Sequence, residues 1–298
     1  MIFHKPVLLN ESIEGLKIKP NGIYVDVTFG GGGHSKEIIK RLKQGFLYAF
    51  DQDADAMQNK ITNKNFKLIR GNFRFIKNFL RLEGVEKIDG LIADLGISSF
   101  QIDVAERGFA HRLESKIDMR MNKDADLDAV KILNTYSEKE IARVLYEYGD
   151  LNNAKKIAQK IIKVRIDEKI SSTKQLKKIL QNFYPKKIEN KFLSKFFQAI
   201  RIEVNDEINA LKDLLNDVID LLNIKGRLVV ISYHSLEDKL VKNLITKGNV
   251  EGKSENDFFG NKKLVFNPVN KKVIAPDGLE NMENSRARSA KLRIAEKI

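Results

Sequence analysis

Four consecutive glycines, Gly30 to Gly33, follow an apolar run, Ile23 to Val27. They precede His34 to Leu42, where Ile38, Ile39 and Leu42 share one helical face. A strand, a glycine turn and a helix form a geometry that brings backbone against a ligand. Glycine takes positive φ and leaves no Cβ in the way, and the helix start offers unpaired N–H groups. The turn ends in His34-Ser35. A phosphate-cradling P-loop would end in Lys-Ser/Thr, and G-x-G-x-x-G is not satisfied by the run from Gly30 to Ser35. Asp51 closes the next apolar run, 51 − 33 = 18 residues after Gly33. A carboxylate at that place can accept from both hydroxyls of a ribose. S-adenosylmethionine, which has no phosphates, suits this pair, with its sulfonium and amino-acid end on the turn and its ribose on Asp51.

Two further residues fall at the ends of apolar runs. Phe73 follows the third, placed to pack on an adenine, and Asp94 ends the fourth, on the acceptor side of the expected cofactor. Ligands bind beyond the carboxyl ends of parallel strands, so Gly33, Asp51, Phe73 and Asp94 are expected to converge. The chain has no cysteine. Methylation at cytosine C5 normally needs a cysteine nucleophile, whereas an exocyclic amine attacks a sulfonium methyl directly once an acceptor takes its N–H. Asp94 is the candidate at the reacting centre, with Asp118 and Arg120 as candidates for holding a flipped base. An ion pair pinning the insertion to the core is the competing reading of those two. Four scattered histidines, His4, His34, His111 and His234, argue against a structural zinc site, and no metal is expected.

These residues need a scaffold. The runs Ile23–Val27, Phe46–Phe50, Phe66–Ile69 and Ile88–Leu95 alternate with helical stretches, which predicts an α/β fold with a parallel, doubly wound sheet. After Gln101 about ninety residues read as helical, with a capping-box opening at Ser172 to Gln175. The α/β pattern then resumes: an apolar stripe from Ile208 to Leu222 ended by Lys225-Gly226, a strand from Arg227 to Tyr233, loop from Phe266 to Glu283, and a last strand from Arg288 to Ala295. The expected domains are 1–108 with 198–298, interrupted by a helical substrate-recognition insertion at 109–197.

The 53 basic and 40 acidic residues leave +13, and the window from Leu151 to Ile200 alone holds 13 basic against 3 acidic residues, or +10. Such an excess suits a phosphate-rich partner, although lysines on solvated helices read the same way. Phe183, Tyr184, Phe192, Phe196 and Phe197 are candidates for base stacking, with core positions the stronger expectation for most. The start of the chain carries no signal-peptide pattern and no run long enough to cross a bilayer. A cytoplasmic enzyme without membrane contact is expected, and a homodimer is compatible with the sequence.

Several segments carry a resemblance: His4 to Glu11, Asp26 to Phe29 through Ser35, Asp89 to Ser99, Glu106 to Phe109, Asp118 to Met121, Phe197 to Ile202, Tyr233 to Asp238 and Arg286 to Ala290. In this order, nearly end to end, they resemble the bacterial small-subunit (16S) rRNA cytosine-N4 methyltransferases, the MraW family. The resemblance implies a class I S-adenosylmethionine methyltransferase fold, Rossmann-like, with a mostly parallel seven-stranded sheet and a helical insertion. It implies a cofactor site of Gly32, Gly33, His34, Asp51, Phe73, Asp94 and Gln101. It also implies a cytidine in the decoding centre of 16S rRNA as substrate and the small ribosomal subunit as partner. Phe100, Ser285 and the pair Ser115-Lys116 depart from prolines, or a glycine-proline pair, usual in the family. They are positions where loops are stiffened.

Overall fold

In a computed structural model the chain is described for residues 6–298 apart from 255, 257, 259 and 261. His4 and Lys5, the start of one resembling segment, lie outside the described residues. The chain divides into two compact units, residues 1–96 with 208–298, and residues 97–207.

The first unit is built on one seven-stranded sheet. Its strands are β1 (Ile23–Asp26), β2 (Phe46–Asp51), β3 (Phe66–Arg70), β4 (Ile88–Asp94), β5 (Leu222–Ser232), β6 (Phe266–Pro268) and β7 (Lys291–Lys297). Their order is β3-β2-β1-β4-β5-β7-β6. Neighbours from β3 to β5 pair in parallel, and β7 runs antiparallel to both β5 and β6. The chain steps outward from β1 to β3 and then returns to place β4 on the other flank of β1. The crevice for a ligand opens at that reversal, beyond the carboxyl ends of β1 and β4. One apolar layer on the sheet includes Leu80, Leu211, Leu214, Val218 and Leu244, and another includes Leu8, Ile13, Ile38 and Ile294. With both faces covered, the strands read as nearly unbroken apolar runs.

Four elements differ from what the sequence predicts. The stripe from Ile208 ends as helix at Leu221, and Leu222 already pairs with Ile88. Lys225, at φ 66°, lies where the β4–β5 register shifts, so a bulge rather than a helix terminus explains Lys225-Gly226. The stretch read as loop holds β6 and a helix, Gly278–Glu283, which is capped by Asp277 accepting from the Glu280 N–H at 2.8 Å. The final strand starts at Lys291, because Ser285–Ser289 form a 3₁₀ turn.

The second unit is helical, with Ala129–Thr135, Glu138–Glu147, Ala154–Asp167, Thr173–Leu180 and Glu189–Asn205 enclosing their own core of Ile132, Ile141, Leu145, Ile157, Ile161, Leu176, Phe196 and Ile200. It begins at Ile97 and ends at Glu207 where the sequence suggested 109 and 197. Its longest helix runs unbroken to Asn205, and the Arg107 guanidinium donates to the carbonyls of Arg120 and Met121, tying residues before 109 to this unit. The Ser172 capping box forms as expected. At the pair Ser115-Lys116, Lys116 bridges to Ser172 and the Ser115 N–H donates to the Thr173 hydroxyl. Among the described residues no helix is long and apolar enough to cross a membrane.

Candidate active site

The glycine turn is shaped by close approach. Gly30 and Gly32 take φ of 51° and 73°, in the left-handed region where a side chain is strained. A Cβ on Gly32 would come within 2.8 Å of the Phe29 ring, and one on Gly33 would run into the ring of Pro6. The helix Gly33–Arg41 has no side-chain cap, and Lys36 N–H to Gly32 O, 2.9 Å, is its first backbone bond. The N–H groups of Gly33, His34 and Ser35 therefore emerge from a positive helix end. That end fits the carboxylate of an amino acid.

Asp51, at the end of β2, is held by two backbone donors: Gly30 N–H to Oδ2 and Asp53 N–H to Oδ1, each 2.8 Å. Each oxygen keeps a lone pair for a further donor, so the carboxylate suits a vicinal diol. Burial pushes its carboxyl up to about 6 against the lowering effect of those two donors. Behind it, the buried Asp26 accepts from the Ser35 hydroxyl at 2.6 Å and from the Thr28 N–H at 3.1 Å, which pins the turn to the end of β1. Phe73 opens a short 3₁₀ turn, Phe73–Phe75, just past β3 and packs partly buried against the apolar layer of that face. Asn72 caps this turn by accepting from the Arg74 N–H and also donates to Gln52, both at 3.0 Å.

Asp94 ends β4 with its backbone N–H on the Thr28 hydroxyl, 2.6 Å away. Its Oδ1 accepts from the Tyr233 phenol at 2.7 Å. Its Oδ2 lies 3.8 Å from His34 Nδ1. The His34 ring is buried and its Nε2 lies 3.2 Å from the Val7 carbonyl, so Nε2 carries the proton and Nδ1 turns a lone pair toward Asp94. Burial holds the imidazole below its ordinary range and neutral. Burial also pushes the Asp94 carboxyl up to about 7, opposed by the Tyr233 hydrogen bond and reinforced by the charges of Glu237 and Glu280. A carboxyl poised there can exchange a proton near neutrality. The His34 side chain thus points inward, and its backbone N–H is what it offers a ligand.

Gly32, Gly33, His34, Asp51 and Asp94 therefore share one end of the sheet, with Phe73 at the same end of β3. Gln101, Asp118 and Arg120 belong to the second unit. Gln101 is buried, and its side-chain oxygen accepts the Ser98 N–H in a reciprocal capping box for the helix Ser99–Asp103. Arg120 grips Asp118 bidentately, Nε to Oδ1 and Nη2 to Oδ2 at 2.8 Å each, while Nη1 donates to the carbonyls of Lys123 and Ala125. Burial would raise the Asp118 carboxyl, but Arg120 outweighs it and holds the group below the usual range. Between them Met119 takes φ 65°, buried, and Asn205 clamps the loop by accepting from Met121 N–H and donating to Met119 O, both at 2.7 Å. Gly108 has room for no side chain, since a Cβ would sit 2.6 Å from the Lys116 carbonyl. Asp118 and Arg120 fasten their own loop.

Of the stacking candidates, Phe192, Phe196 and Phe197 are core and Phe183 and Tyr184 pack partly buried against it. Lys174, Lys178, Lys186, Lys187 and Lys191 are exposed. His111 faces Ser194 at 3.3 Å and the edge of Phe197, and His234 lies 3.2 Å from the buried Glu237. Tyr233, Asp26 and Glu280 were not singled out from sequence. A lone aspartate inside an apolar strand signalled Asp26, and Tyr233 sits inside a resembling segment. Glu280, in a stretch read as loop, gave no signal.

A model of the MraW methylase family matches residues 1–298. The chain is 52% identical over 299 residues to Ribosomal RNA small subunit methyltransferase H of Flavobacterium johnsoniae, covering 100% of this chain and 99% of that protein. It is 53% identical over 298 residues to the protein of the same name from Cytophaga hutchinsonii, covering 99% and 100%. Among solved structures, an rRNA methylase from Streptococcus thermophilus is similar at 13% identity and a TM-score of 0.45, covering 100% of this chain and 99% of that one. Matched along its whole length, the chain belongs to the MraW methylase family.

Proposed function

We propose that the chain is an rRNA (cytosine-N4-)-methyltransferase, transferring a methyl group from S-adenosylmethionine to a cytidine in the decoding centre of 16S rRNA, in the cytoplasm. The observation that carries this reading is Asp94, a carboxyl poised near neutrality at the end of β4 beside the glycine turn. It stands in a chain half identical, end to end, to proteins named for small-subunit rRNA methylation. When bound, S-adenosylmethionine supplies an electrophilic methyl on a sulfonium.

The chain's own part is alignment and proton handling. The N–H groups of Gly33 and His34 take the amino-acid end, Gly32 shapes the turn with its own N–H on the Phe29 carbonyl, Asp51 takes the ribose hydroxyls, and Phe73 the adenine face. Asp94 accepts the N–H of the attacking amine, turning its lone pair out of conjugation with the ring. Gln101, whose oxygen is committed to its capping box, serves by fixing the helix that follows β4. Asp118 and Arg120 serve by giving a base-binding loop one shape, with the exposed lysines of the second unit on the RNA backbone. With no cysteine in the chain, an amine is a better acceptor than a ring carbon. The test is mass spectrometry of small-subunit RNA from cells with and without the gene. Loss of one N4-methylated cytidine supports the reading, and identical RNA rejects it.

A further inference from the structure

We infer that Tyr233 is a positioning residue for methyl transfer, its phenol holding the Asp94 carboxylate ionised and oriented so that Oδ2 is left for the acceptor amine. The inference rests on the proposed role of Asp94 at the reacting centre. Asp94 stands among acids: Asp26 at the end of β1, Glu237 on the helix Ser235–Lys247 and Glu280 on the helix Gly278–Glu283 all act on the cluster. His34, facing it with a bare lone pair, supplies no positive charge. Against this crowd of negative charge the Tyr233 O–H, 2.7 Å from Oδ1, is the donor that favours the ionised form. Burial and the Asp94 charge push the phenol itself well above its ordinary range, so it stays protonated and stays a donor.

The placement is rigid. Tyr233 directly follows β5, and its backbone N–H donates to Glu237 Oε2 at 2.9 Å. Gly96, two residues past Asp94, takes φ 97°, and a Cβ there would come 3.3 Å from the Tyr233 ring. The two ends of the hydrogen bond thus shape each other's loops. In the transfer, the amine nitrogen forms a bond to the methyl carbon and the carbon–sulfur bond breaks. Its electron pair stays on sulfur, yielding S-adenosylhomocysteine, and the displaced N–H proton passes to Asp94 Oδ2 and on to solvent. A carboxyl protonated beforehand cannot accept it, so a donor that keeps Asp94 ionised sets the acidic limb of the reaction.

The experiment labels aspartate carboxyls with ¹³C, assigns Asp94 by Asp94→Asn, and follows its titration by NMR in the protein alone. Tyr233→Phe is expected to raise the midpoint by about 1–2 units, the worth of one hydrogen bond to a charged group. Glu280→Gln, which keeps an oxygen for the Leu8 N–H, is expected to lower it. In methyl transfer to small-subunit RNA, Tyr233→Phe should shift the acidic limb of kcat upward by the same amount and leave KM for S-adenosylmethionine unchanged. In an Asp94→Asn background it should add nothing. An Asp94 midpoint unmoved by Tyr233→Phe, or a loss equal at every pH and undiminished in that background, would overturn the inference. A wild-type protein that methylates no RNA would reject the proposed function instead, and the NMR midpoints would still decide whether Tyr233 governs Asp94.

Discussion

Two acidic loops of this chain use charge in opposite ways. At the end of β4, Asp94 has one strong donor, other acids around it, and a carboxyl pushed up to about 7. In the second unit Asp118 has a bidentate guanidinium, a backbone donor at 3.1 Å, and a carboxyl held below its usual range. Both lie in segments that carry the resemblance. The first is under-satisfied and titrates near neutrality; the second is satisfied by its guanidinium and stays ionised there. The count of donors around each carboxylate, not the presence of an acid in a motif, sets how it titrates.

The contrast can be broken most sharply at Asp94. Asp94→Asn is expected to lower the rate of methyl transfer by about 10²–10⁴-fold, the range of a lost general base, read by tritium incorporation into RNA. The same variant should stabilise the protein. Its carboxyl titrates higher in the fold than in the unfolded chain, so the fold favours the protonated form. Stability linked to this group is therefore greatest at low pH and lost as pH rises from about 4 to about 7. Urea unfolding should show a gain of about 2 kcal/mol at pH 8 and less at pH 5. A destabilised variant at pH 8 would remove the idea of an under-satisfied site.

Arg120→Ala is the counterpart. It leaves Asp118 and two carbonyls without their donor, and a loss of about 2 kcal/mol is expected, below the figure for a fully buried pair because solvent reaches both side chains. Cofactor affinity, measured by calorimetry, should be unchanged. Smaller still is Asp51→Asn, which should weaken S-adenosylmethionine binding about tenfold at pH 8. The difference should close toward pH 5, because the wild-type carboxyl, with its midpoint at about 6, is then protonated as well. A gap that persists at pH 5 would mean that charge is not what Asp51 contributes. Least affected is the RNA term: replacing Lys178, Lys186, Lys187 and Lys191 by Gln should flatten the salt dependence of RNA affinity by about 0.7–0.9 per phosphate contact removed. An unchanged slope would take these lysines off the RNA.

The sheet, the glycine turn, Asp51 and Asp94 were legible in the sequence because buried parallel strands are apolar throughout and end abruptly at the charged residues that face the crevice. What escaped was set by contacts distant in the chain. Glu280 matters through a helix of six residues too short and polar for a periodic signal. Lys225-Gly226 looks like a helix stop and is a bulge, since only pairing with β4 decides that Leu222 is already strand. For Asp118 and Arg120 the sequence offered a base-holding pair or an ion pair pinning the insertion to the core, and the carbonyls of Lys123 and Ala125, which put the guanidinium's remaining bonds inside its own loop, were legible in neither.

The bond from Tyr233 to Asp94 spans 139 residues, whereas that from Gly30 to Asp51 spans 21. A ribosome adding roughly 5–20 residues per second releases the second pair within seconds of each other and the first only after some tens of seconds or less. The turn and Asp51 can be assembled while the whole second unit is still being made. Through that interval the nascent chain carries Asp94 without its phenol donor, so the hydrogen bonds of the glycine turn are complete before those of the carboxyl at the end of β4.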